Sequence, residues 1–559
     1  MSVRRLSVAA LVIASCLLGR PLRAQTATSA RLGRVELFTG HFITLDTLKP
    51  RAEAMAVRDG RIVAIGSEAD VLAVVGTAAR RIPLAGVALP GFVDAHVHVA
   101  GLGAVLGALD LRGGSKAAIL ARVAAAAARA PIGAWLRGGG WDQSFWSPPE
   151  YPTATELDRV SAGHPVILER IDGHAVWVNS VAMRRARVTR STADPSGGRI
   201  VRDATGYPSG VFVDDAMDVV RRALPPLSMD DRVRALKRAM AQYARWGYTG
   251  VHDAGIEIAD IVAYKRLGTA KPLPVRVYAM ASTTDTTLPT VLAHGPVTGL
   301  LGGTFTLRTI KVVEDGALGS RGARLGSPYA DEPSQSGFRL VSAERLDTII
   351  ARAMARGFQV AVHAIGDASN HDVLEAFERA GPSARSSRFR LEHASMIRDD
   401  DLPRLARLGV IASMQPVFVG EYARFAEERV GAARLSWIYR TRDVLASGAV
   451  VASGTDFPAS DTGDPIATLV ALVTRVGADG TPDGGWLPRQ AVSVDAALRS
   501  MTIGPAFAAF EENDGGILRV GRRADVTVLS GDPTALAPSS LRTLVVVRTI
   551  LGGRTTWRR

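Results

Sequence analysis

His96-Val97-His98 places two imidazoles two residues apart in an apolar run. In a strand, such residues project to one face, so both rings can reach one ion. Four further residues could join them. Lys311 lies inside Leu307-Arg308-Thr309-Ile310-Lys311-Val312-Val313, and His363 closes Val360-Ala361-Val362. His393 follows Arg390-Leu391-Glu392, and Asp456 follows Ser453-Gly454-Thr455. Each alone also fits a satisfied polar group at a strand end. Together, at the ends of successive apolar runs, they are hard to explain as packing.

Lys311 is the least ordinary of the six. The chain has six lysines against 61 arginines, so a cation here is nearly always arginine. Burial favours the neutral amine. A neutral amine can add carbon dioxide to become a carbamate, which a guanidinium cannot do. The competing reading is a lysine that snorkels from its strand end or pairs with Asp315. Neutral imidazoles and carboxylates suit a divalent metal such as zinc, and a carbamate can bridge two such ions. A carboxylate beside them can take a proton from water and return it to a leaving nitrogen.

These residues need a scaffold that brings distant strand ends together. The middle of the chain repeats a short apolar strand followed by a helical stretch. The strand candidates are Val87–Val97, Tyr248–Asp253, Arg276–Ala281, Phe305–Asp315, Phe358–Ile365, Phe389–Ala394, Val410–Gln415 and Val450–Phe457. Stretches such as Ser342–Arg356 and Asp367–Ala380 read as helices between them. Eight such units predict a (β/α)8 TIM barrel, with its chemistry at the strand C-terminal ends. About 150 residues separate the first two candidates, too many for one crossover, so an inserted subdomain is expected at about 130–230, over the barrel mouth. Residues 25–88 and 506–559 are strand-rich, with candidates at Val35–Phe38, Gly515–Leu518, Ala524–Leu529 and Leu544–Val547. They predict one small β-sandwich domain completed by both chain ends, flanking a barrel domain at 89–505.

Leu89-Pro90-Gly91-Phe92-Val93-Asp94-Ala95-His96-Val97-His98 resembles the first-strand signature of the amidohydrolase superfamily. Lys311-Val312-Val313-Glu314-Asp315-Gly316-Ala317-Leu318-Gly319-Ser320-Arg321, His363-Ala364-Ile365-Gly366-Asp367, Leu391-Glu392-His393-Ala394 and Gly454-Thr455-Asp456-Phe457-Pro458 resemble its YtcJ-like branch (amidohydrolase family 3). That branch includes N-substituted formamide deformylases. Gly138-Gly139-Gly140-Trp141-Asp142, Asp172-Gly173-His174-Ala175 and Asp194-Pro195-Ser196-Gly197-Gly198 match it too, so the likeness runs from about residue 33 to the C-terminus. The resemblance implies that His96, His98 and Asp456 hold one metal and that His363 and His393 hold a second. Carboxylated Lys311 would bridge them, and Asp456 would double as general acid and base. It implies hydrolysis of an amide, formamide or cyclic amide; deaminase, dipeptidase and esterase activities use the same fold. A mononuclear site and a non-catalytic binding barrel are the alternatives. Retention of all six positions argues against the latter.

Other residues carry weaker expectations. Trp141, His174 and Trp177 are candidates to line a lid over a small-molecule substrate, with aromatic packing as the alternative. Arg321 could grip a carboxylate or carbonyl oxygen, or make a loop salt bridge. His252-Asp253 could support the ligands. His41, His164, His294 and His371 read as ordinary.

Composition narrows the compartment and the partners. Arg4-Arg5, an apolar run from Leu6 to Leu18 and a small residue at Ala24 form a secretory signal over residues 1–24, too short for a membrane span. An exported, periplasmic or secreted protein follows. A competing lipoprotein reading anchors the chain at Cys16, because Ile13-Ala14-Ser15-Cys16 also fits a lipidation box. Cys16 is the only cysteine, so a chain cleaved after Ala24 has nitrogen and oxygen ligands to offer a metal, and no disulfide. Cleavage removes four arginines and no acids, lowering the formal charge from +13 to +9. The remaining basic residues are scattered, which argues against nucleic-acid binding. At 47% apolar, about 535 residues can bury a large core. Oligomeric state stays open, a homo-oligomer included.

Overall fold

The computed structural model describes residues 34–559 apart from 144–145, 171–174, 196–197, 215 and 284–287. The expected signal segment, Cys16 and His174 therefore lie outside the described residues.

Eight parallel strands form the barrel, in spatial order Phe92–Val97, Tyr248–Ile256, Arg276–Ser282, Phe305–Val313, Gln359–Ala364, Arg390–His393, Ile411–Met414 and Val451–Ser453. Each expected strand is present, with one correction. The run Val87–Val97 is two strands, because it breaks at Gly91. Arg80–Pro90 belongs to the small sheet, where its end pairs with Val526–Leu529, and only Phe92–Val97 enters the barrel. Ladder register brings the rim residues level: Lys311 opposes Ser282 and Ala361, His363 opposes Val313, and His393 opposes Ala364.

The seam between the eighth and first strands closes through the strand ends. Asp456 N donates to His96 O at 2.7 Å, and His98 N donates to Phe457 O at 3.1 Å. Thr455 donates from N and Oγ1 to the two oxygens of Asp94, at 2.8 and 2.7 Å. Gly454 permits this approach, since a Cβ there would sit 2.5 Å from His96 N.

The crossover helices follow from sequence. Ser342 caps Ala343–Met354 by accepting from Arg345 N at 3.3 Å. The apolar residues Leu346, Ile349, Ile350 and Ala353 recur at helical spacing and are the buried face. Burying each large one contributes about 1.5–3 kcal/mol.

Both chain ends build one seven-stranded sheet. Its order runs Arg554–Arg558, Val546–Leu551, Val526–Leu529, Arg80–Pro90, Glu36–Ile43, Arg51–Arg58, Arg61–Gly66. The sandwich is this single sheet packed on itself, because Phe38, Met55 and Ile62 share a core with Val526, Val528 and Ile550. Gly515–Leu518 is not a strand; it docks by Leu518 N donating to Thr44 O at 2.9 Å. The helix Ile503–Ala508 crosses the expected domain boundary, and its Ala508 packs with Ala95, Ile411 and Ala452 of the barrel.

Residues 100–239 form a separate compact unit, wider than the expected 130–230. It begins earlier because Leu109–Asp110 pairs into its sheet. That six-stranded sheet runs Gly198–Arg202, Pro208–Asp214, Ala175–Val178, Val166–Arg170, Leu136–Trp141, Leu109–Asp110. Trp141 is a core residue of this unit and has no exposed surface. It packs 6.0 Å from Trp146 and 6.2 Å from Trp177 between ring centroids, and its Nε1 donates to Leu168 O at 2.8 Å. The substrate-lining role expected of Trp141 gives way to packing. Its ring satisfies itself within the unit.

Candidate active site

The strand C-termini bring all six expected residues to one end of the barrel. His96 is fully buried at the end of the first strand. Its Nδ1–H donates to Glu392 Oε2 at 2.5 Å, which leaves the lone pair of Nε2 facing the barrel axis. Nε2 lies 3.3 Å from Lys311 Nζ and 3.5 Å from Asp456 Oδ1. His98 Nε2 lies 3.0 Å from the same Oδ1. The rings of His96 and His393 are 4.9 Å apart between centroids, and those of His393 and His363 are 4.4 Å apart. One chain of contacts thus links His98, Asp456, His96, Lys311, His393 and His363.

Several of these atoms approach one another without bonding. His363 Nε2, His393 Nδ1 and Asp456 Oδ1 are buried with no hydrogen-bond partner. Asp456 Oδ1 and His363 Nε2 do have near neighbours, His98 Nε2 and Asp315 Oδ1, but the directions are wrong for a hydrogen bond. Atoms that point at a shared centre rather than at each other give this pattern. Unsatisfied buried polar atoms are rare and costly, so the cluster calls for a partner. Ligand atoms of His96, His98 and Asp456 lie within 4.8 Å of one another, the spacing of a metal-binding set.

Electrostatics agree with that reading. Burial holds His96, His363 and His393 well below the ordinary imidazole value, so they are neutral and have lone pairs to give. Burial also lowers Lys311, against the pull of Glu392 and Asp456. Burial works to raise the Asp456 carboxyl, but His96, His98 and Lys311 together outweigh it and keep it below the usual carboxylate value. Backbone geometry is unusual here too: His393 has φ 73° and Asp456 φ 59°, both left-handed. Such conformations cluster at functional sites.

A second layer beneath holds the first. Arg390 is fully buried, and its Nε donates to Glu392 Oε1 at 2.6 Å. Its Nη2 donates to Ala95 O at 2.7 Å and Ser413 Oγ at 3.0 Å, and its Nη1 donates to His252 Nδ1 at 2.9 Å. His252 thus supports the ligands through Arg390. Asp253 accepts from Val99 N at 3.0 Å and Tyr264 Oη at 2.6 Å, fixing the turn after His98. Burial pushes Asp253 up to about 6 and Asp94 up to about 7. Asp315 accepts from the backbone N–H groups of Ile365, Gly366 and Arg324 at 2.9 to 3.0 Å, so it anchors the loop after His363 and does not pair with Lys311.

Sequence reasoning missed Glu392 and Arg390 as site residues. The signal was present: an Arg-x-Glu pair on alternate positions of a buried strand points both charges inward. Arg321 falls to its plainer alternative. Its Nη2 and Nε donate to the two oxygens of Asp331 at 2.8 and 3.2 Å, so the fork that could grip a substrate is occupied.

The comparisons with known proteins converge on one family. Residues 86–557 match the amidohydrolase family model Amidohydro_3. The chain is 33% identical over 512 residues to the protein YtcJ of Bacillus subtilis (strain 168), covering 90% of this chain and 96% of that one. It is 27% identical over 541 residues to the N-substituted formamide deformylase of Arthrobacter pascens, covering 91% and 96%. Among solved structures, an uncharacterized metal-dependent hydrolase from Pyrococcus horikoshii superposes with a TM-score of 0.75 at 28% identity, over 90% of this chain and 99% of that one. The chain belongs to the amidohydrolase family and is a hydrolase of carbon–nitrogen bonds.

Proposed function

We propose that this amidohydrolase is a zinc-dependent enzyme that hydrolyses small amides or formamides, with Lys311 in its carboxylated form. The observation that carries the reading is the set of buried, partnerless atoms on His363, His393 and Asp456 beside the His96–His98 pair. Every donor in the set is nitrogen or oxygen, which fits zinc. His96, His98 and Asp456 would hold one ion, and His363 and His393 a second. Zinc held there supplies Lewis acidity toward the scissile carbonyl and a lowered pKa for water.

The chain's own groups do the rest. Asp456, whose carboxyl stays below the usual carboxylate value, takes the proton of the attacking water on the oxygen not offered to the ion and returns it to the leaving nitrogen. In its neutral form, which burial favours, Lys311 Nζ would add carbon dioxide: the N–C bond forms as one C=O π bond opens onto oxygen, and an N–H proton passes to solvent to leave a carbamate anion. The similarity to the formamide deformylase supports the substrate class. Residues 1–24 support export as a signal peptide, with lipidation at Cys16 as its competitor, and mass spectrometry of the native N-terminus decides between them.

The test is metal content and turnover together, across formamides, N-acyl amino acids, dipeptides, lactams and aryl esters. Wild type is expected to hold up to two zinc ions and to cleave the amides or formamides. Lys311→Arg keeps a basic side chain but cannot carboxylate, so it should lose metal and activity together. Lys311→Ala should recover in part when a short carboxylic acid is supplied. An arginine variant with normal metal and turnover refutes the bridging role.

A further inference from the structure

The opposite end of the barrel carries a second concentration of charge, and none of it enters the mechanism above. A cleft of about 450 Å³ opens there between the barrel floor and the seven-stranded sheet. The turns at Asp59-Gly60 and Leu551-Gly552 form one wall. They meet backbone to backbone, since a Cβ on Gly60 would stand 3.5 Å from Gly552 O. Gly303 and Thr304, which lead into the fourth barrel strand, form another wall. Thr304 precedes Lys311 by seven residues, so roughly 20 Å of strand separates this cleft from the rim.

Four arginines line the cleft, Arg61, Arg276, Arg523 and Arg554, against one carboxylate, Asp59. Three of them are pinned by acids that do not line it. Arg276 donates to Asp525 from Nε at 2.7 Å and from Nη2 at 3.0 Å, and its Nη1 donates to Gly303 O at 2.9 Å. Arg523 donates from Nη1 to Glu511 Oε2 at 2.8 Å and from Nη2 to Asp514 Oδ2 at 3.2 Å. Arg61 donates from Nη1 to Asp514 Oδ1 and to Gly521 O, each at 2.8 Å. Arg554 is exposed, and its Nη2 reaches only Leu273 O, at 3.4 Å. Arg58, the cross-strand partner of Arg61, has a buried Nε with no partner. Lys271 stands next to the lining Pro272. Among the described residues, Arg58, Lys271 and Arg554 have no carboxylate at all. The neighbourhood thus holds six cations and four acids. A guanidinium has five N–H donors and no acceptor. Arg61 commits only Nη1 and Arg554 only Nη2, so both keep donors free. Surplus positive charge with forked donors matches the oxygens of a phosphate.

We propose that this cleft at the barrel floor binds a phosphate group, free or carried by a small organic molecule. Arg554 and Arg61 are its principal donors, and Arg276 and Arg523 form a fixed positive lining beside them. The volume is that of a small-molecule site, larger than a bare ion needs. The site is independent of the amide-hydrolase reading, because none of its residues belongs to the rim.

Calorimetric titration of the holoenzyme reads the site without any activity. The probes are inorganic phosphate and phenylphosphonate, which has no ester bond to cleave. Saturable binding that weakens with added salt is expected. Tighter binding of phenylphosphonate assigns the cleft to an organic phosphate, and tighter binding of phosphate assigns it to the free ion. Arg554→Gln should weaken the better probe roughly tenfold or more, the usual worth of a hydrogen bond to a charged group. Its side chain is exposed, so the variant should fold with the Tm of wild type. Lys271→Gln should weaken binding less, as a charge beside the cleft and not in its wall. Arg184→Gln, at an exposed arginine of the 100–239 unit, should change nothing. Removing the rim metal with a chelator should leave the affinity as it was. No saturable heat with either probe overturns the proposal. So does binding that survives Arg554→Gln and disappears with the chelator, which would put the anion on the metal.

Discussion

Two layers of the barrel interior, only a few residues apart along the same strands, handle polar groups in opposite ways. The lower layer is saturated. Gln359 Oε1 accepts from Thr309 Oγ1 at 2.6 Å and Tyr278 Oη at 3.1 Å, while its Nε2 donates to the backbone oxygens of Arg388 and Ala508 at 2.6 and 3.0 Å. Above it, Arg390 satisfies Glu392, His252 and Ser413 at once. The rim is unsaturated, with orphaned atoms on His363, His393 and Asp456. The burial is similar, so burial does not separate structure from function here. Whether the hydrogen-bond inventory closes does. A closed inventory holds a position, whereas an open one waits for something to hold.

Substitutions can break that contrast from either side. The largest effect is expected at the open rim. Asp456→Asn should lower kcat by roughly 10²–10⁴-fold, the usual worth of a positioned acid–base group, with Tm unchanged or raised. Steady-state kinetics beside calorimetry reads both, and a fall in Tm of many degrees would make Asp456 structural. Arg390→Met attacks the closed layer, stranding the Glu392 charge. Loss of one buried partner costs about 3–5 kcal/mol, readable by urea unfolding. A variant as stable as wild type would show that Glu392 is neutral in the fold.

Glu392→Gln lies between the layers, since Glu392 orients His96 from below. It keeps an acceptor for Nδ1 but removes the charge that strengthens the imidazole as a ligand. Metal affinity should fall about 10–100-fold in chelator competition. An unchanged affinity would mean that His96 needs no orienter. The smallest effect is expected at Tyr278→Phe, deep in the closed layer. It removes one of two donors to Gln359 and should cost about 1 kcal/mol with no change in metal content.

The contrast also explains what could be read from sequence. Eight strands were legible because each is a short, apolar, β-branched run ending in polar residues. His96, His98, Lys311, His363, His393 and Asp456 were legible because each sits at such an end. The closed layer was harder. Arg390 and Glu392 look like surface charges until the strand is known to be buried on both faces. Trp141 was open between lid and packing for the converse reason, since aromatic residues look the same whether they line a pocket or fill one. Arg321 was open between two roles, and Asp331, ten residues on, settled it in a loop whose path no periodicity encodes.

The seam between the eighth and first strands sets an order on biosynthesis. His96 and His98 leave the ribosome early, whereas Asp456, Thr455 and Gly454 leave some 360 residues later. The strands of Glu36–Ile43 and Arg80–Pro90 likewise wait for Val526–Leu529 and Val546–Leu551 to complete their sheet. The first hundred residues therefore have no finished partner until translation is nearly over, a high-contact-order arrangement that folds slowly. A histidine pair made early can catch an ion but cannot set its geometry. The chain must come round on itself before it can be selective about what it holds.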